Sequence, residues 1–160
     1  FQGRSESGRR ALGNRSILAN PIDFNMKSLI NKKVKHRQWF RPFAPTILEE
    51  CGEDWFEGFF PSPYMGFVFK FKKEKLGKVP AVEHEDKTAR IQSVTKDQNE
   101  NYYNLIKSFY DKTKIPILLN TSFNDREPIV ESPTDAIKCF MGTDIDYLFF
   151  LEYQLLISKK

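Results

Sequence analysis

The chain has 160 residues with a formal net charge of +4, 40% hydrophobic and 29% charged residues, and 15 phenylalanines. That is enough chain for one domain with a real core, and the balance excludes a disordered or fibrous protein. Two distant cysteines, Cys51 and Cys139, exclude a disulfide framework and a cysteine-rich zinc site, and no run approaches the ~20 apolar residues of a membrane span.

The charge is uneven. Ten of the 25 lysines and arginines precede residue 42, from Arg4 to Arg41. Such a basic quarter suits an anionic partner, or simply a solvated face. Residues 1–20 mix Gly, Arg, Ser and Asn and read as loop with short ordered pieces. They carry neither a signal-peptide pattern nor an initiator Met, so the sequence reads as a domain of a longer protein. Residues 22–36 place Met26, Leu29, Ile30 and Val34 at helical spacing, with Asp23 as the expected N-cap. Pro42 and Pro45 make residues 40–48 an extended or edge segment. Residues 64–71, aromatic and β-branched, predict a strand.

Residues 72–87 are charged, contain Gly77 and Pro80, and are expected to form a mobile loop. Alternation over residues 88–95 predicts a strand, with Thr88, Arg90 and Gln92 on its polar face. An amphipathic helix follows at 99–112, then a buried strand at 115–119 that opens into a polar loop at 120–124. Ser132, Pro133 and Asp135 start a helix that Gly142 closes as a C′ residue. Residues 147–150 and 154–157 predict two final strands. Strands alternating with three or four helices define an α/β (α+β) class with a mixed sheet.

Three clusters could carry chemistry. Glycines 3, 8 and 13 interleave with Arg4, Arg9, Arg10 and Arg15, a pairing of open backbone with guanidinium forks that suits phosphate. A basic linker would look the same. Residues 35–43 alternate Lys35, Arg37 and Arg41 with Trp39, Phe40 and Phe43, which fits a polyanion, a single-stranded nucleic acid or a helix C-terminus. The run Asn120-Thr121-Ser122-Phe123-Asn124 puts polar groups at a buried strand end, where α/β sheets bind ligands or where a turn satisfies itself. Arg90 sits mid-strand on a polar face. His84 among Glu83, Glu85 and Asp86 reads as a solvated group, and no metal site is expected.

Together these runs resemble one family. Gly3-Arg4-Ser5-Glu6, Gly8 through Ser16, Arg41-Pro42-Phe43-Ala44-Pro45, Asp86 through Gln92, and Leu118 through Asn124 with Glu127-Pro128-Ile129-Val130 are similar, in order, to the O-carbamoyltransferases of the NodU, CmcH and TobZ type. Arg9 stands where that family usually has Pro, and the loop before Glu127 is about one residue shorter.

The resemblance implies a YrdC-like twisted mixed sheet flanked by helices over residues 21–160, with residues 1–20 as a junction to an N-terminal transferase domain. It implies cytoplasmic formation of carbamoyl-adenylate from carbamoyl phosphate and ATP with Mg²⁺. The transferase domain, which holds the family's metal, then delivers the carbamoyl group to a small-molecule or saccharide hydroxyl. Carried over by motif, Arg10, Lys35, Arg41, Arg90, Asn120 and Ser122 would line the nucleotide and carbamoyl pocket, with Lys35, Arg41 and Arg90 in the catalytic role. Arg15 and Arg37 rank second. An RNA-binding module and an inert docking domain are the alternatives.

Overall fold

The computed structural model describes residues 1–159. Seven strands and four α-helices follow in the order β1 (Ser16–Ala19), α1 (Met26–Lys33), β2 (Ala44–Leu48), α2 (Gly52–Trp55), β3 (Phe67–Lys70), β4 (Thr88–Val94), α3 (Glu100–Thr113), β5 (Ile117–Ser122), α4 (Pro133–Gly142), β6 (Tyr147–Phe150) and β7 (Leu155–Ser158). Five strands form a mixed sheet in the order β1-β5-β2-β4-β3, in which only β2 and β4 run parallel. Strands β6 and β7 form a separate antiparallel pair. The expected class, a single mixed α/β domain, is what the chain adopts.

Strand alternation divides the core in two. Leu48, Val94 and Leu118 face Tyr102 and Ile106 of α3. Their strand neighbours Ile47 and Leu119 face the opposite layer, where Ile30 and Val34 from the α1 region and Ala136 and Phe140 of α4 pack. Ile47, Ile91, Ile106 and Leu119 are all 0% exposed, each worth about 1.5–3 kcal/mol of burial. Asn99 caps α3 by accepting from the Tyr102 amide, and Ser132 with Asp135 closes a capping box on α4. No helix among the described residues is long and apolar enough to cross a membrane.

Several local expectations change. Residues 16–19 form the edge strand β1, pairing Ile17 with Thr121, within a stretch expected to be loop with short ordered pieces. Its four residues are too few to show a period. Asp23 does not cap α1. Its carboxylate accepts from the Asn25 amide, one turn earlier, and the N-cap is Asn25. Strand β2 is the centre of the sheet despite Pro45. The parallel ladder to β4 starts only at Thr46, so the proline costs that ladder no hydrogen bond.

The loop at 72–87 is anchored, not mobile, because Val79, Ala81 and Val82 are at most 1% exposed. Strand β5 runs on through Ser122, so Asn120, Thr121 and Ser122 are strand residues held by β1 and β2. Gly142 is the last residue of α4, and Thr143 is its C-cap.

Candidate functional site

Asn120, Thr46 and Gln92 lie on the α3 face of neighbouring strands β5, β2 and β4. Helix α3 does not cover this end of the sheet, and the loop before β1 does. The Asn120 amide nitrogen donates to Ala11 O (3.1 Å), Gln92 Oε1 (3.0 Å) and Thr46 Oγ1 (3.1 Å). Gln92 donates in turn to Leu12 O at 2.9 Å, and Thr46 Oγ1 donates to Gln92 Oε1 at 2.8 Å. These acceptors fix which way the Asn120 amide points. Its Oδ1 is left buried with no partner among the described residues.

The loop they hold carries the arginines. Glu6 Oε1 accepts from the amides of Leu12 (3.0 Å) and Asn14 (2.6 Å), closing the turn that presents Arg9 and Arg10. Gly13 sits at φ +121°, and a Cβ there would come within 2.4 Å of the Tyr102 ring. Only glycine lets the loop approach α3 so closely.

Beneath the loop is a cleft of about 110 Å³ lined by Arg9, Arg10, Arg37, Arg90, Asn120 and Ser122, with Met65 and Phe43 as apolar walls. Met65 takes a left-handed φ of 54°, uncommon for a side chain of its size. Arg90 is half-buried, and its Nε is buried without a hydrogen-bond partner among the described residues. Burial, and then the neighbouring Arg10, lower the Arg90 pKa. For Arg37 the causes are burial and then Arg41. The ion pairs among the described residues use His36, Lys70, Lys87, Lys96 and Lys107, so none neutralises these arginines. Cations gathered without carboxylates leave room for an anion.

Arg10, Arg90, Asn120 and Ser122 of the expected set therefore meet at one cleft. Lys35 reaches it indirectly. Its ammonium is buried against Ser122 O (2.8 Å), Ser122 Oγ (3.2 Å), Asn124 O (2.6 Å) and Asn124 Oδ1 (2.6 Å). Burial pulls its pKa down to about 8. Arg41 is exposed beside the cleft, with its carbonyl accepting from Asn31 at 3.0 Å.

Arg15 turns away from the cleft. It donates to Gln2 O (2.6 Å) and Gly3 O (3.0 Å), and its guanidinium lies 3.5 Å from the Phe1 ring centroid, which ties down the first residues. The sequence reading missed the Thr46–Gln92 support and the Glu6 clasp. Gln92 did share the polar face with Arg90, and Glu6 entered only as the last residue of the Gly3-Arg4-Ser5-Glu6 run, with no role attached to it.

Fold and cleft together define a mixed α/β domain whose sheet end carries an arginine-lined cleft. The chain belongs to the carbamoyltransferase C-terminus family, whose model matches residues 1–158. Nodulation protein NolNO of Sinorhizobium fredii is 47% identical over 165 residues, 99% of this chain and 24% of the relative. Nodulation protein NolO of Bradyrhizobium diazoefficiens is 49% identical over 151 residues, 92% of this chain and 28% of the relative. Nodulation protein U of Rhizobium tropici is 43% identical over 122 residues, 76% and 21% respectively. The chain thus spans about a quarter of the length of the curated relatives it matches.

Proposed function

We propose that this domain binds carbamoyl phosphate and ATP with Mg²⁺ and makes carbamoyl-adenylate. A transferase domain of the longer protein then passes the carbamoyl group to the hydroxyl of a small molecule or saccharide. The supporting observation is that Arg90 and Asn120 line one cleft and that each carries a buried polar atom, Nε and Oδ1, with no partner among the described residues. An anionic oxygen and an N–H donor satisfy both at once, and carbamate and carbamoyl phosphate each carry both.

Size supports the same division of labour. About 110 Å³ is well below the ~300 Å³ of ordinary ligand pockets, so the cleft suits the carbamoyl compound. A groove of about 470 Å³ adjoins it, shares Arg9 and Ser122, and is lined by Gly8, Asn124 and residues 128–131. In this reading that groove takes the nucleotide.

In this scheme water cleaves carbamoyl phosphate to carbamate and phosphate. A carbamate oxygen bonds to the α-phosphorus of ATP as the bond to pyrophosphate breaks. Carbamate is already an anion, so the step needs positioning and charge neutralisation more than a base. Arg90 and Asn120 hold the carbamoyl group. Arg10 and Arg41 meet the charge that grows on pyrophosphate, and Lys35 fixes Ser122 at the pocket wall. Dependence on ATP argues for a cytoplasmic setting.

Arg90→Gln and Arg10→Gln should each weaken calorimetric binding of carbamoyl phosphate at least about ten-fold, the loss of one charge-assisted hydrogen bond. Unchanged affinity in both would remove the cleft from consideration. One observation favours RNA instead: Trp39 and Phe40, 69% and 58% exposed, lie between Arg37 and Arg41. An RNA site would bind oligonucleotides with a steep salt dependence that carbamoyl phosphate does not relieve.

A further inference from the structure

We propose that Arg37 is a further phosphate-binding residue of the cleft and that Asn31 positions it; the proposal rests on reading the cleft as an anion site. Arg37 lies just beyond α1, one residue after His36 at φ 43°, in the tight turn that takes the chain toward β2. Its side chain lines the cleft together with Arg9, Arg10 and Arg90.

Three contacts hold it. Nε donates to Asn31 Oδ1 at 2.7 Å, the backbone amide donates to Asn31 O at 3.0 Å, and the guanidinium carbon stands 4.8 Å from the Phe43 ring centroid. Among the described residues, no protein acceptor takes a hydrogen bond from either terminal nitrogen. A guanidinium fixed at Nε and stacked on an aromatic face keeps its outer fork open. That geometry matches two oxygens of a phosphoryl group.

Asn31 is 0% exposed in α1, an expensive place for an amide unless all of it is used. Its nitrogen donates to Trp39 O (3.1 Å) and Arg41 O (3.0 Å), while its oxygen takes the Arg37 Nε. One buried amide therefore sets both the Arg37 fork and the backbone from which Arg41 extends. A purely structural arginine would pair its fork with a carbonyl or carboxylate, as Arg15 does with Gln2 O and Gly3 O. Arg37 does not.

The test titrates the chain with pyrophosphate and with carbamoyl phosphate, comparing Arg37→Gln, Arg37→Lys, Asn31→Ala and the Asn31→Ala/Arg37→Gln double variant, with Arg10→Gln and Arg90→Gln alongside. Arg37→Gln should weaken binding about ten-fold or more, and Arg37→Lys, which keeps charge but not the fork, should recover only part. Asn31→Ala should weaken binding comparably, and the double variant should match Arg37→Gln within about two-fold, as residues acting through one another do.

If Arg37→Gln binds like the parent while Arg10→Gln and Arg90→Gln lose affinity, this proposal fails and the cleft reading stands. If none of the three arginine variants loses affinity, the cleft reading fails with it. A double variant weaker by the product of the two single effects would overturn the positioning role of Asn31. The Arg37 variants decide the first point even if Asn31→Ala does not fold.

Discussion

Replacing Lys35 by Met tests whether this lysine holds the site from behind. Lys35 is 5% exposed, and its ammonium contacts four acceptors on Ser122 and Asn124. Its pKa is lowered from 10.5 to about 8, first by burial and then by Arg37. A lowered folded-state pKa means the unfolded chain binds the proton more tightly, so stability should rise as pH goes from 8 to 10.5. The full displacement corresponds to about 3 kcal/mol at most.

At pH 7 Lys35→Met relieves that cost and leaves Asn124 O without its donor, while Ser122 O keeps the Asn124 amide and Ser122 Oγ still donates to Asn124 Oδ1, so the two effects offset to within about 2 kcal/mol. Urea unfolding followed by tryptophan fluorescence is suitable, because Trp55 is 4% exposed and its environment changes on unfolding. The difference in stability between parent and Lys35→Met should grow between pH 8 and pH 10. Subtracting the variant removes the other titrating groups. A difference constant within about 0.5 kcal/mol over that range would refute the buried clamp.

Two further substitutions separate fold from site. Gly13→Ala forces a Cβ into the Tyr102 ring at φ +121°, and should cost about 1–3 kcal/mol in urea unfolding while also lowering carbamoyl phosphate affinity, because the arginine loop must lift. Equal affinity in a destabilised Gly13→Ala would show that the loop does not set the cleft. Ser132→Ala removes the capping box of α4 and should cost about 1 kcal/mol without changing affinity. An affinity change there would mean that α4 is coupled to the site.

The sequence revealed what rests on local rules. The helix start at Ser132 and the polar alternation that exposed Arg90 and Gln92 both depend on neighbours within a few residues. What it hid depends on partners far along the chain. Pro45 suggested an edge, yet β2 is central because its ladder to β4 begins one residue later. Asn120 through Ser122 looked like loop because polar side chains mask a strand whose partners are residues 16–18 and 44. Motif resemblance supplied Arg10, Lys35, Arg41, Arg90, Asn120 and Ser122 as a set. Only the folded structure separates Lys35, engaged by protein acceptors, from Arg90, whose Nε has no partner among the described residues. Arg37 ranked low because its open fork is visible only once Asn31 is seen to hold the other end.

The most direct measurement is pyrophosphate release by the purified chain with ATP and Mg²⁺, in the presence and absence of carbamoyl phosphate, with Arg90→Gln as control. Adenylation in this domain predicts pyrophosphate only when both compounds are present, and far less from Arg90→Gln. Release that ignores carbamoyl phosphate, or that survives Arg90→Gln undiminished, would contradict it.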